Sequence, residues 1–207
     1  MQPPVIGILG GIASGKSFVA HELENRGAVV LSADQAGHEV LREAAVEQAA
    51  RQRWGPEIFD TEGRIVRSKL ASVVFAPPPD GPRELAFLEQ LTHPRIRVRL
   101  KHELDRLLSD PRTPAVVLDA PVMLKAGWNK FCNHIVFIEA PRELRVGRAR
   151  QRGWSQEDFD RREAAQESLN AKRDLADVVI DNSGTPEATA AQVDDLWRRL
   201  VHVLPPQ

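Results

Sequence analysis

The 207-residue chain has no tyrosine and a single cysteine, Cys132. One cysteine excludes an intramolecular disulfide and points to a reducing compartment. Beside Phe131, Cys132 reads as a small core residue rather than a catalytic thiol. Without tyrosine there is no phenol to stack on a ligand or donate to one. No apolar run approaches the roughly 18 residues that a membrane-spanning helix requires. Met1-Gln2-Pro3-Pro4 carries no basic region, so no signal peptide is expected. The expected setting is cytoplasmic, with no membrane partner. Charge of one sign is also lacking. The net charge is −1, so no global field draws the chain to nucleic acid. There is no internal repeat and no Asn-Lys-x-Asp guanine motif, which argues against a GTPase.

What is present is enough for one compact α/β domain with a real core, since hydrophobic residues make up 42% of the sequence. The most informative segment is Gly10-Gly11-Ile12-Ala13-Ser14-Gly15-Lys16-Ser17, which fits G-x-x-x-x-G-K-[ST] at every fixed position. It follows the apolar run Val5 to Leu9 and precedes a helical pattern, the context a phosphate-binding P-loop needs. Glycines let the backbone approach phosphate oxygens, and the following helix N-terminus offers N–H groups and partial positive charge. Lys16 is expected to reach the β- and γ-phosphates of ATP, and the Ser17 hydroxyl to bind Mg²⁺.

Further strands are expected at Ala28–Leu31, Ala115–Asp119, His134–Ile138 and Val178–Asp181. Helices are expected over 17–25, 35–53, 68–75, 142–152, 155–172 and 186–203, with Ser155 and Asp158 as a loose capping box. A long helical stretch from Arg83 to Leu108 is expected to be interrupted at His93-Pro94. Ala76 to Pro82, with four prolines, reads as a stiff loop. The alternation of strands and helices predicts an α/β fold with a parallel, doubly wound sheet.

Two acids follow strands. Asp119 reads either as a Walker-B type Mg²⁺ ligand or as a turn cap. Asp34 reads either as a base that takes a proton from an acceptor hydroxyl or as a helix N-cap, and spacing alone leaves these even. Residues 142 to 152 hold five arginines against one acid, and Arg145, Arg148 and Arg152 share a helical face. Such a face suits a lid that neutralises a transferring phosphoryl group, with a solvated surface as the other reading. His93 is a lone histidine with structural and functional readings. The four tryptophans read as core or partly buried surface.

These residues, taken in order, resemble the dephospho-CoA kinase family over essentially the whole chain. The resemblance rests on the P-loop, Ser32-Ala33-Asp34, Arg67 through Leu70 to Val74-Phe75, and Leu91-Thr92-His93-Pro94-Arg95-Ile96. It continues through Leu118-Asp119-Ala120-Pro121 and Ala176 to Gly184 with its Ile180-Asp181-Asn182-Ser183-Gly184 ending. It implies a P-loop kinase that phosphorylates the 3′-hydroxyl of dephospho-CoA with ATP and Mg²⁺, working as a monomer. The implied organisation is a nucleotide-binding core over 1–36, 112–143 and 174–207, a helical CoA-binding insertion over 37–111 and a lid over 144–173. Implied roles are base for Asp34, phosphate stabilisation for Lys16 and Arg148, and acceptor binding for Arg67, His93, Asp119 and Pro121. ATP contacts are implied for Gly11 through Phe18, Arg148 and Asn182, the last near adenine. Arg95, Arg97 and Arg99 add cations for the acceptor's pyrophosphate. Four positions depart from the family pattern: Ala13 for glycine at a tolerant position, Phe18 for threonine, Lys125 for an acid, and Gly153 for aspartate. The rival readings are a related P-loop kinase acting on a nucleotide or other small alcohol, and a non-catalytic ATP-binding regulator.

Overall fold

The computed structural model describes residues 2–201. The chain divides into two compact units, one running to Ser32 and resuming at Leu104, the other spanning Ala33–Glu103.

In the first unit, β1 (Val5–Gly10), β2 (Val29–Ser32), β3 (Val116–Asp119), β4 (His134–Glu139) and β5 (Val178–Asp181) form a sheet. The order is β2-β3-β1-β4-β5, and every pairing is parallel. All six residues of the central β1 are buried, as a strand covered on both faces must be. One face packs against α1 (Lys16–Asn25) and α9 (Pro186–Val201), through Ile6, Ile8, Val19, Leu23, Val136, Val193 and Trp197. On the other, a side chain at Gly7 would meet Cys132 Sγ at 2.8 Å, so glycine gives that segment room to close on the sheet. Cys132 is a half-buried packing residue whose thiol burial pushes up to about 12, as its sequence context suggested. Trp128 and Trp197 are buried, and Trp54 and Trp154 half-buried.

Between β4 and β5 run α6 (Arg142–Gln151), α7 (Gln156–Ala164) and α8 (Leu169–Asp174). The sequence suggested one helix over 155–172, but the structure has two. Ser155 Oγ accepts from Asp158 N at 3.0 Å, and Ser168 Oγ accepts from Ala171 N at 3.0 Å, so a second cap opens a second helix. α9 is described to Val201, and the expected residues 202 and 203 lie outside the described residues.

The second unit holds α2 (Ala33–Val40), α3 (Ala44–Trp54), α4 (Arg67–Val74) and most of α5 (Asp80–Ser109). Its core gathers Ala50, Ile58, Phe59, Leu70 and Val74. The single helix expected over 35–53 is broken at residues 41–43. Val40 and Val46 are both fully buried, yet six residues of unbroken helix would set them roughly 120° apart. The break reconciles the two. The expected loop over 76–82 is shorter, because Asp80-Gly81-Pro82 form the first turn of α5. Proline is tolerated there, and a Cβ on Gly81 would overlap the Ala76 carbonyl. The expected interruption at His93-Pro94 is absent: α5 runs through Pro94 for 30 residues. Ile96, Leu100, Leu104 and Leu107 are buried along it. At about 1.5–3 kcal/mol per buried side chain, this stripe outweighs the roughly 3 kcal/mol a mid-helix proline costs.

Candidate active site

β1 delivers the chain into the P-loop at Gly10, and α1 begins at Lys16. Ser14 N donates to Gly11 O at 3.2 Å, and Phe18 and Val19 N donate to Gly15 O at 3.0 and 3.1 Å. Gly15 has φ +102°, and a Cβ there would overlap the Asn182 amide, so glycine is required twice over. Ala13, expected at a tolerant position, holds φ +57°, a left-handed conformation that strains an L-residue. Phe18 is explained: it is half-buried against the sheet core. So is Gly153, whose φ of +81° follows the end of α6 and suits glycine better than aspartate.

The loop is gripped from outside. Asn182 Nδ2 donates to Ser14 O at 2.7 Å, and Arg148 Nη1 donates to the same carbonyl at 3.2 Å. Arg148 Nη2 donates to Asn182 O at 2.9 Å, and Thr189 Oγ1 fixes Asn182 Oδ1 at 2.9 Å. The structure thus brings Arg148 and Asn182 to the P-loop backbone itself. Ile12 and Ala13 rest on a cluster of Val146, Ala149, Phe159 and Trp154 from α6, α7 and their link. Ser14 Oγ is buried and has no partner among the described residues, an orphan hydroxyl inside the loop.

Lys16 Nζ donates to Gly10 O and Gly11 O at 3.3 and 3.0 Å. Burial is the main cause that lowers its pKa from 10.5 to about 8; Lys172, Arg152 and Arg145 add to the fall, and Asp119 opposes it. Asp119 ends β3, in register with Ile8 of β1 and Ser32 of β2. Pro121 lines a narrow crevice with Lys16, Gly10 and Ala120.

The shared face of Arg145, Arg148 and Arg152 divides into three roles. Arg145 is 3% exposed and donates to Ala140 O at 3.1 Å and to Glu163 Oε1 at 2.6 Å. It packs against Gly11 and reaches the loop as a buried brace. Arg148 holds the Ser14 carbonyl, and Arg152 is exposed at the end of α6. Beside these lies a cavity of about 460 Å³, over the ends of β4 and β5, with Glu139, Arg142 and Asp181 in its wall.

Asp34 is the second residue of α2, exposed and two residues past β2. It lies inside the first turn rather than before the helix, which removes the N-cap reading. In the same unit, Arg67 opens α4 and lines a cavity of about 320 Å³ with His38, Arg42, Arg64, Asp60 and Glu62. His93 sits half-buried on α5. Arg95 and Arg99, expected to supply cations, are committed to carboxylates. Arg99 meets Glu39 at 2.8 Å and Glu43 at 3.2 Å, and Arg95 meets Glu43 at 3.6 Å.

Sequence reasoning missed Lys172 and the trio His38, Arg42 and Arg64. Lys172 lies in a charged stretch that reads as solvated, yet it is 2% exposed and lines the Lys16 crevice. The trio carried no motif. Among the described residues no cluster of three or more His, Cys, Asp or Glu could hold a metal unaided. One hydroxyl, Ser17, and one carboxylate, Asp119, nonetheless fit Mg²⁺, which takes one or two protein oxygens with phosphate and water.

A model of the dephospho-CoA kinase family matches residues 4–187. The chain is 36% identical over 196 residues to a dephospho-CoA kinase of Symbiobacterium thermophilum, covering 94% of this chain and 80% of that one. It is 36% identical over 199 residues to the dephospho-CoA kinase of Streptococcus mutans, covering 95% and 97%. The crystal structure of TT1252 from Thermus thermophilus is 35% identical, covers 97% of this chain and 99% of its own, and superposes with a TM-score of 0.78. No helix among the described residues is long and apolar enough to cross a membrane. With a family match from residue 4 to residue 187 and relatives matched over 80% and 97% of their own length, the chain belongs to the dephospho-CoA kinase family.

Proposed function

We propose that this chain transfers the γ-phosphoryl group of ATP to the 3′-hydroxyl of dephospho-CoA, giving CoA and ADP. The observation that carries the reading is the P-loop at the end of β1, with the Lys16 ammonium inside it, in a chain of this family. The orphan Ser14 hydroxyl, together with the loop N–H groups not given to the Gly11 and Gly15 carbonyls, is suited to phosphate oxygens. Lys16 and Arg148 carry the charge that spreads over the phosphoryl oxygens in a loose, in-line transition state. Ser17 and Asp119 would hold Mg²⁺, which supplies further neutralisation of phosphate charge. Asp34 is the base. The hydroxyl oxygen forms the new P–O bond, its proton passes to the Asp34 carboxylate, and the bond to the β-phosphate bridging oxygen breaks.

Residues 37–111 are the acceptor-binding region in this reading, and 144–173 the lid. Arg67, with His38, Arg42 and Arg64, suits the pyrophosphate of a CoA-like molecule. His93 belongs to the same acceptor region, and Asp119 and Pro121 to the acceptor side of the transfer crevice. Asn182 serves ATP through the loop it grips. The enzyme works as a cytoplasmic monomer without nucleic acid.

The test is steady-state ADP release with dephospho-CoA, adenosine, AMP and shikimate. Dephospho-CoA should be used far faster than adenosine, because remote binding energy places the hydroxyl. Equal use of adenosine, AMP or shikimate replaces this reading with a generic small-alcohol kinase. Asp34→Asn should lower kcat by about 10²- to 10⁴-fold with ATP affinity and melting temperature close to wild type. Retained activity would remove Asp34 from the reaction.

A further inference from the structure

The crevice beside the P-loop holds a second lysine that the transfer chemistry above does not use. Lys172 lies on α8, and α8 lies against β1. Its ammonium donates to Gln166 Oε1 at 3.1 Å and stands 3.7 Å from Glu167 Oε2. Glu167 is 36% exposed while Lys172 is almost wholly buried, so the pair is open on the carboxylate side. Lys172, Glu167 and Lys16 line one narrow crevice with Gly10, Ala120 and Pro121.

This is an unfavourable place for two ammonium groups. Each loses hydration on burial, and Lys172 further depresses the Lys16 pKa. Glu167, at 3.7 Å, is a loose partner for Lys172, not a close one. A buried cation with a loose partner is costly, and an apolar side chain of similar volume would fill the site at less cost. An anion brought close to both ammonium groups lowers the energy of both lysines at once. Gly10 and Lys16 in its wall belong to the P-loop, where the proposed function puts the phosphoryl oxygens of ATP.

We propose that Lys172 is a second phosphate-binding lysine, whose ammonium exchanges Glu167 for a phosphoryl oxygen of bound ATP. The inference rests on the kinase reading above for the identity of the anion. It gives Glu167 a defined part: a competitor that holds Lys172 in place and yields it to the nucleotide.

The experiment compares Lys172→Met, Lys172→Arg and Glu167→Gln with wild type. ATP affinity is read by calorimetry, kcat by ADP release with dephospho-CoA, and folding by melting temperature. Lys172→Met should bind ATP about tenfold or more weakly and turn over more slowly, at a melting temperature equal to or above wild type. Lys172→Arg should recover part of the loss. Glu167→Gln should bind ATP as tightly as wild type or more tightly, because the competitor is gone. A structural ion pair moves both single variants the same way. Matching losses in Lys172→Met and Glu167→Gln therefore overturn the proposal, as does a Lys172→Met with wild-type ATP affinity and kcat. Failure of the kinase reading is separate: wild type would then leave dephospho-CoA unphosphorylated, while the ATP titrations still report on Lys172.

Discussion

Around Lys16 the sheet unit combines burial, the main cause, with Lys172, Arg152 and Arg145 against Asp119, and the lysine's pKa falls from 10.5 to about 8. Around Glu84 the helical unit sets Arg53, Arg83 and the Trp54 indole N–H, and the carboxyl falls from 4.5 to about 2. Both clusters depress a pKa, with opposite meaning. The depressed lysine keeps its charge at neutral pH but holds it less firmly than a free one, because burial and nearby cations disfavour the ammonium, so its surroundings favour an anion. The depressed carboxylate is held charged by close donors: Arg53 at 2.8 Å, Arg83 at 2.9 Å and Trp54 at 2.8 Å. One region crowds further cations around a buried ammonium beside a P-loop, and the other surrounds a carboxylate with close donors. The first pattern marks a site for an anion, and the second marks a brace.

The largest expected effect comes from breaking the first cluster. Lys16→Ala removes the ammonium from the phosphate loop and should lower kcat by roughly 10²-fold or more. Near-normal turnover in a folded variant would sink the P-loop assignment. Titration of the wild type sharpens the point. Because Lys16 is neutral above about 8 in the folded chain and above 10.5 in the unfolded one, the unfolded chain binds more protons between these values. The Lys16 contribution therefore makes stability rise with pH across that window, while ATP affinity falls as pH passes about 8. Opposite slopes, both flattened in Lys16→Met, are the expected outcome of paired calorimetric and unfolding titrations.

A smaller effect should follow from breaking the brace. Glu84→Gln keeps shape but gives up two charge-assisted bonds, so the melting temperature should drop at neutral pH. The wild-type advantage has a pH signature. With the folded pKa near 2 and the unfolded one near 4.5, the contribution is whole above 4.5 and is lost as pH falls through about 2. The gap between wild type and variant should close over that range, and ATP affinity should not move. A gap independent of pH would mean that the lost packing, not the carboxylate charge, sets the difference.

The two units also differ in how much of them the sequence discloses. The five strands are short apolar runs, four of them ended by a polar residue, a pattern that suits a covered parallel sheet. The P-loop is legible because its chemistry demands particular residues at fixed spacing. The helical unit has no such demands, and local rules mislead there. Proline 94 looks like a break until the buried stripe of Ile96, Leu100, Leu104 and Leu107 is known. Arg95 and Arg99 look like substrate cations until Glu39 and Glu43 are found facing them from α2 and the turn after it. Lys172 was hidden for a related reason: burial is a tertiary property, and a lysine among charged neighbours carries no local sign of it.

The smallest expected effect lies at Ala13, inside the P-loop and against the α6–α7 cluster. A left-handed alanine costs about 1–2 kcal/mol, so glycine relieves strain. Glycine also frees the unfolded chain, which takes back about 0.4–1 kcal/mol. It further gives up a methyl packed beside Val146, Ala149 and Phe159, worth up to about 0.8 kcal/mol. These terms nearly cancel, and Ala13→Gly should change unfolding free energy by less than about 1 kcal/mol in a urea titration. Valine separates the terms. Its branched side chain adds apolar surface but is far worse at φ +57°. If backbone strain governs this position, Ala13→Val should be clearly less stable than both wild type and Ala13→Gly, with weaker ATP binding because the loop must shift. If Ala13→Val proves as stable as wild type, packing against the α6–α7 cluster outweighs strain, and the alanine costs the P-loop nothing.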